Sequence, residues 1–157
     1  MESLEEELVK LLTKRHASIT TAESCTGGLV SGRIVNASGA SEVFCQSFVT
    51  YSNEAKKKLL GVDEETLASV GAVSEETAAQ MAEGAAKAAD AQVALSVTGV
   101  AGPDGGTPEK PVGLVYIGCC CFGKTTVERH IFTGDRQQVR EASVEAALIL
   151  AKKCLGA

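Results

Sequence analysis

A chain of 157 residues, 45% of them hydrophobic, is long enough to bury one ordinary core and short for two, so one domain over residues 1–157 is expected. Lys and Arg total 15 against 20 for Asp and Glu, a net charge of -5, without the basic excess that nucleic-acid binding needs, so no nucleic-acid partner is expected. No run approaches the ~18 apolar residues of a membrane span, and the acidic start Met1–Glu7 is unlike a secretory leader, so a cytoplasmic protein with no membrane partner is expected.

Leu4, Leu8, Leu11 and Leu12 recur at helical spacing, and Glu5, Glu6 and Glu7 favour a helix N-terminus, so the chain opens on an amphipathic helix. Ser18–Ala22 is a short β-prone run. It meets the small-residue turn Glu23-Ser24-Cys25-Thr26-Gly27-Gly28 and then an apolar-periodic stretch from Leu29 to Ala37, which Gly39 ends. Phe44–Tyr51 reads as a second strand, and Ser52 is placed to cap a short helix through Leu60. Another short helical piece begins at Gly61-Val62-Asp63. Ser74, followed by Glu75 and Glu76, starts a long helix to Ala89 whose alanines predict close packing. Gln92–Thr98 is a third strand running into a loop, Gly99–Gly106. Gly113–Phe122 and Thr125–Phe132 flank Gly123-Lys124 as the arms of a hairpin. The last helix starts at Asp135 with Gln138 at the capping-box position and sets Val139, Ala146, Leu150 and Cys154 along one face. Alternating strands and helices closed by a hairpin predict a three-layer α/β/α domain around a mixed β-sheet.

Six cysteines, at 25, 45, 119, 120, 121 and 154, form no C-x-x-C pair, and His16 and His130 stand alone. Buried thiols are therefore expected, with no metal site.

Ser24 is the first candidate for chemistry, because a small nucleophile at a strand-to-helix turn sits beside unpaired helix amides that can stabilise an oxyanion. Cys25, Thr26 and Gly27 would supply those amides; a plain helix cap is the alternative. The esterase elbow G-x-S-x-G is absent, since Ala22 and Thr26 flank Ser24 at two residues. Cys25 is a rival nucleophile, because a helix N-terminus favours thiolate, but it lacks a histidine partner. Within Lys56-Lys57-Lys58, only Lys56 has Leu59 and Leu60 at i+3 and i+4, which puts it nearest the apolar stripe. A lysine held there loses its proton more readily and can serve as a general base; a snorkelling lysine is the alternative. Tyr51 ends the preceding strand and can add its hydroxyl. The loop Thr98–Gly106 fits no nucleotide-triphosphate fingerprint, and its glycines suit either ligand approach or a surface turn. Arg136 and Arg140 lie four apart at the start of the last helix, where cations oppose the dipole unless an anion such as phosphate joins them or Asp135 and Glu141 pair with them.

Ala22-Glu23-Ser24-Cys25-Thr26-Gly27-Gly28, Val49-Thr50-Tyr51-Ser52-Asn53-Glu54-Ala55-Lys56, Gly71-Ala72-Val73-Ser74-Glu75, Thr98-Gly99-Val100-Ala101-Gly102-Pro103-Asp104-Gly105 and Gly134-Asp135-Arg136 together resemble the CinA C-terminal domain family, from about Leu4 to Leu155. The resemblance implies a serine amidohydrolase that converts nicotinamide mononucleotide and water to nicotinate mononucleotide and ammonia in pyridine nucleotide salvage, without metal or organic cofactor and often as a homodimer. It implies Ser24 as nucleophile, Lys56 as base and Tyr51 as an assisting residue. Thr98 and Arg136 match pocket positions, and Gly99, Gly102 and Arg140 join them as expected substrate contacts. Cys45-Gln46-Ser47 departs from the family's small residues and puts the pocket's shape in question. Two other readings stay open: a non-catalytic nucleotide-binding or competence-related interaction module, and an amidase for another small carboxamide.

Overall fold

The computed structural model describes residues 1–156; Ala157, the last residue of the expected domain, lies outside the described residues. Among these, five strands form one sheet: β1 (Ile19–Glu23), β2 (Phe48–Val49), β3 (Val93–Gly99), β4 (Leu114–Cys121) and β5 (Lys124–Ile131). Their order is β2-β1-β3-β4-β5, with β1 parallel to both β2 and β3, and β4 antiparallel to β3 and β5. The α-helices are α1 (Leu4–Lys14), α2 (Leu29–Ile34), α3 (Asn53–Leu60), α4 (Glu64–Ser69), α5 (Glu75–Ala89) and α6 (Arg136–Cys154). Ser52, Ser74 and Asp135 cap their helices as the sequence predicts, Asp135 through a reciprocal capping box with Gln138.

Alternation along the strands divides the helices between the two faces of the sheet, giving the expected α/β/α layering. Val93, Leu95 and Val97 of β3 and Val115, Ile117 and Cys119 of β4 join the core formed with α1, α2 and α6. The opposite face is small: Ala22, Ala94 and Cys120 meet Met81, Ala82 and Ala85 of α5. Small against small brings backbones close. The Ser96 hydroxyl donates to the Ala78 carbonyl at 2.6 Å, and a Cβ on Gly84 of α5 would stand 1.8 Å from the Leu60 carbonyl oxygen of α3.

Three boundaries and one helix face differ from the sequence expectation. The second strand shrinks to Phe48–Val49, with only an isolated bridge from Phe44 to Ile19. Between them the Gln46 carbonyl accepts from the Thr20 hydroxyl at 2.8 Å instead of entering a ladder. Helix α2 stops at Ile34, because Asn36 and Ala37 donate three residues back, to Arg33 and Ile34, and the winding tightens. The hairpin turn is Phe122-Gly123, not Gly123-Lys124. Both residues take positive φ, 49° and 83°, as a two-residue type I′ turn requires, and Cys121 faces Lys124. On α6, Val139, Ser143, Ala147, Leu148, Leu150 and Ala151 are buried, while Ala146 and Cys154 only flank the core.

The chain leaves β1 for α2 on one face and leaves β2 for α3 and α5 on the other. A crevice therefore opens at the carboxyl ends of the adjacent parallel strands β1 and β3, where open α/β sheets bind ligands. The packing test lies in two glycines. Gly84→Ala should lower unfolding stability in urea by about 1–3 kcal/mol through overpacking. Gly32→Ala, in α2 with nothing within 4 Å of its Cβ, should be neutral or stabilising by up to about 1 kcal/mol.

Candidate active site

Glu23 ends β1 and carries a carboxylate with no solvent exposure. One oxygen accepts from the Thr26 hydroxyl at 2.7 Å and from the Gly28 and Val30 amides; the other accepts from the Thr21 hydroxyl and the Ser31 amide. A buried charge is tolerated only when so satisfied, and this one fixes the first turn of α2 to the end of β1. Its backbone carbonyl accepts from the Thr50 amide at 2.8 Å, and the Ser24 amide donates to the Val97 carbonyl. Ser24 is thereby held, half-buried, in the crevice between β1 and β3.

Lys56 comes to it from α3. The side chain is 1% exposed, and its Nζ lies 3.1 Å from Ser24 Oγ, 2.9 Å from the Thr50 carbonyl oxygen and 3.3 Å from the Tyr51 carbonyl oxygen. Burial pushes its pKa down to about 8. In the neutral amine the two carbonyls can hold the two N–H groups, which leaves the lone pair for the Ser24 hydroxyl proton. The other members of the lysine run behave differently: Lys57 pairs with Glu64 and Lys58 is exposed. The apolar neighbours of Lys56 are likewise unequal, since Leu60 is buried and Leu59 is 47% exposed.

Cys25, beside Ser24 in the turn, is buried. Burial pushes its thiol up to about 11, and the α2 amides that would stabilise a thiolate are held by the Glu23 carboxylate instead. The same capture narrows the expected oxyanion donors. Gly27 is lost from the set, because its amide donates to the Ser24 carbonyl at 3.1 Å, whereas the amides of Cys25 and Thr26 meet no backbone carbonyl among the described residues.

A cavity of about 310 Å³ opens over Ser24 and Lys56, walled by Tyr51, Thr98, Gly102 and Arg136 among others. A larger one, about 600 Å³, lies between α3 and α5 and carries no nucleophile. The Tyr51 ring is 63% exposed; its hydroxyl accepts from Arg136 at 3.2 Å, and only its backbone carbonyl reaches Lys56. The Thr98 hydroxyl donates to the Ala72 carbonyl. Gly99 and Gly102 line the pocket, but their missing side chains serve packing, since a Cβ would stand 2.6 Å from Val115 and 2.5 Å from Val112 respectively.

The two arginines part company. Arg136 lines the pocket, with one nitrogen donating to the Gly102 carbonyl at 2.7 Å. Arg140 lies behind it, donating to the carbonyls of Cys25 and Thr26 at 2.9 and 3.2 Å, so it staples the turn and is not among the cavity's lining residues. Neither pairs with Asp135 or Glu141 among the described residues. Cys45, Gln46 and Ser47 are not among the lining residues, so the departure there lies outside the pocket walls. Glu23, Asn53 and Asp104 line or support the cavity and were not among the sequence candidates. For Glu23 the available signal was an acid directly before a small-residue helix start; for Asn53 and Asp104 composition offers none. All six cysteines are free; Cys45 is exposed, unlike the expected buried thiols. His130 stacks on Phe132 at 4.9 Å, away from the crevice.

Comparison with known proteins matches residues 1–155 to the model of the CinA C-terminal domain. A CinA-like protein of Kosmotoga olearia is 55% identical over 154 residues, covering 98% of this chain and 37% of its own length. The chain thus spans little more than a third of that relative. Solved structures of similar length agree in fold: competence/damage inducible protein CihA of Agrobacterium tumefaciens, at 40% identity and TM-score 0.90, covered over 98% of this chain and 97% of its own, and a competence-damaged protein (CinA) superfamily protein of Klebsiella pneumoniae, at 34% and 0.93, covered over 97% and 95%.

Burial of Lys56 has a measurable cost. Its folded pKa of about 8 lies below the ordinary 10.5, so the unfolded chain holds the proton more tightly; stability is lost as pH falls from 10.5 to about 8 and the loss is complete below that. Lys56→Met removes this dependence. Its stability relative to the wild type should therefore rise by up to about 3 kcal/mol between pH 10.5 and pH 7 in urea titrations, and a flat difference would show that the amine is not desolvated.

Proposed function

From the premise that this chain belongs to the CinA C-terminal domain family, we propose that it is a Ser/Lys amidohydrolase cleaving the carboxamide of nicotinamide mononucleotide to nicotinate mononucleotide and ammonia. The observation that carries this reading is the buried Lys56 amine, 3.1 Å from Ser24 Oγ and poised near pH 8. Neutral Lys56 takes the Ser24 proton as Oγ attacks the carboxamide carbon. The oxyanion forms beside the Cys25 and Thr26 amides. Protonated Lys56 then gives its proton to the departing nitrogen, ammonia leaves, and water activated by the same amine clears the acyl-enzyme. Every step is a proton or acyl transfer, so the sequence as written calls for no metal or organic cofactor. Arg136, at the positive end of α6 and facing the cavity, supports a phosphorylated substrate, because a dianion there satisfies both the guanidinium and the helix dipole.

Ammonia release should be measured with nicotinamide mononucleotide, its riboside, nicotinamide and simple amides. Ser24→Ala should lose nearly all turnover and Cys25→Ala should keep most of it; the exchanged result would replace the serine by the thiol. Lys56→Arg should be inactive, since arginine keeps its proton, and wild-type kcat/KM should fall about tenfold per pH unit below about 8. Release from simple amides with none from the mononucleotide would keep the chemistry and discard the substrate. No release from any amide by a protein that still binds the mononucleotide would favour a binding module.

Arg136→Ala tests the phosphate assignment separately. A charged hydrogen bond contributes on the order of 1.5–3 kcal/mol, so kcat/KM for the mononucleotide should drop roughly tenfold to a hundredfold while the riboside loses far less. Equal losses would assign Arg136 to holding Gly102 and Tyr51 in place.

A further inference from the structure

The connection from β3 to β4, residues 100–113, forms one wall of the cavity over Ser24 and is fixed at both ends. The Val100 amide donates to the Leu114 carbonyl and the Gly113 amide to the Val100 carbonyl, which closes the base of the loop. Arg136 of α6 holds the Gly102 carbonyl at 2.7 Å. Further along, the Lys110 ammonium donates to the Val70 carbonyl, just past the end of α4, where Ala72 and Val73 continue the cavity wall. Val112 packs inside the bend, since a Cβ on Gly102 or Gly106 would stand 2.5 or 2.9 Å from it. Asp104 sits between these anchors. It lines the cavity with Ser24, Lys56 and Arg136, it is exposed, and its carboxyl group has no hydrogen-bond or ion-pair partner among the described residues. Arg136, bonded two residues earlier in the same loop, gives its donors to Gly102 and Tyr51 instead.

Resting on the mononucleotide reading, we propose that Asp104 is a specificity-determining residue that accepts hydrogen bonds from the 2′- and 3′-hydroxyls of the substrate's ribose. A carboxylate accepts and cannot donate, so the group that complements Asp104 is a donor carried by the ligand. The substrate has three parts: a carboxamide assigned to Ser24 and Lys56, a phosphate assigned to Arg136, and the sugar that joins them, which has no assigned contact. The phosphate carries the same sign of charge as Asp104 and is repelled by it. The pyridinium nitrogen attracts it but has no N–H to donate. Two cis hydroxyls on neighbouring carbons are the donors that remain, and both can bond one carboxylate at once. The same pairing of an acidic side chain with ribose recurs in dinucleotide-binding folds. Anchoring of the loop gives the contact its discrimination. Held at Gly102 and Lys110, Asp104 needs little ordering on binding, and a sugar without the hydroxyls leaves the carboxylate facing the ligand with no donor.

The test compares kcat/KM for nicotinamide mononucleotide with that for its 2′,3′-dideoxy analogue, which keeps the carboxamide, the pyridinium charge and the phosphate. The full chain should prefer the mononucleotide about tenfold, the low end for hydrogen bonds to a charged group because the loop is exposed. Asp104→Ala should erase that preference by losing activity on the mononucleotide alone, with an unchanged unfolding midpoint. It should also cost the riboside as much as the mononucleotide, the reverse of the pattern expected for Arg136→Ala, since the riboside keeps both hydroxyls. Equal losses on the mononucleotide and the dideoxy analogue would overturn the proposal and assign Asp104 to the pyridinium charge or to the shape of its loop. So would a preference that survives Asp104→Ala and disappears in Asn53→Ala, a second polar side chain on the cavity wall without a partner. Nicotinate mononucleotide has no amide to cleave, so its binding to the full chain, measured calorimetrically against its 2′,3′-dideoxy analogue, reports the sugar contact independently of turnover. The same preference there, removed by Asp104→Ala in a protein that releases no ammonia, would sustain the ribose contact and discard the amidase. Turnover with no difference between the two sugars would do the opposite.

Discussion

A buried carboxyl group needs hydrogen-bond partners, and Glu23 finds five: two threonine hydroxyls, the Gly28 amide and two amides of the first turn of α2. Much of the site's geometry depends on that capture. It ties the end of β1 to the start of α2, sets the turn between them, and leaves Ser24 as the residue that faces the crevice. Because the amides of Gly28, Val30 and Ser31 are taken by Glu23, the proposed oxyanion is left with the turn amides of Cys25 and Thr26, and Cys25 is denied the stabilisation a helix terminus would otherwise lend its sulfur. The Glu23 backbone takes part as well, since its carbonyl holds the Thr50 amide and so positions the carbonyl of Thr50 that receives Lys56.

Lys56 is the complementary element. A lysine is buried at a free-energy cost because its ammonium loses hydration, and the cost is what brings its pKa toward neutrality. The fold carries that cost by close packing elsewhere. Small residues on one face of the sheet admit the alanine-rich α5, α5 admits α3 at Gly84, and α3 delivers Lys56 to the crevice. On the other face, Arg140 bonds the carbonyls of Cys25 and Thr26, while Arg136 joins the Gly102 loop to Tyr51 across the mouth. Ser24 is thus held from both layers, the rigidity that the proposed proton transfer to Lys56 requires.

Helix starts, strand positions and the layering were legible along the chain because they rest on local chemistry. Ser52, Ser74 and Asp135 cap their own helices, and alternation of large and small residues along β3 assigns its two faces. Motif resemblance singled out Ser24 and Lys56, which the fold brings within 3.1 Å of each other, while helical spacing alone set Lys56 apart from Lys57 and Lys58 without deciding between a base and a snorkelling chain. Element ends were less so: the second strand stops short because Thr20 takes the Gln46 carbonyl, a contact across 26 residues that no local pattern records.

What the sequence by itself determined is therefore the set of elements and a short list of candidate side chains, since capping, periodicity and turn chemistry act between near neighbours. What only the tertiary structure decided is which of equivalent groups does which task. Arg136 faces the cavity and Arg140 staples the turn, although both sit on one helix face four residues apart. Burial raises the Cys25 thiol, and a turn hydrogen bond to the Ser24 carbonyl occupies the Gly27 amide. Glu23 becomes the anchor of the site. The physical reason is common to all of them: desolvation and hydrogen-bond commitment depend on what lies within a few ångströms in space, and for these residues the deciding neighbours come largely from other elements of the fold.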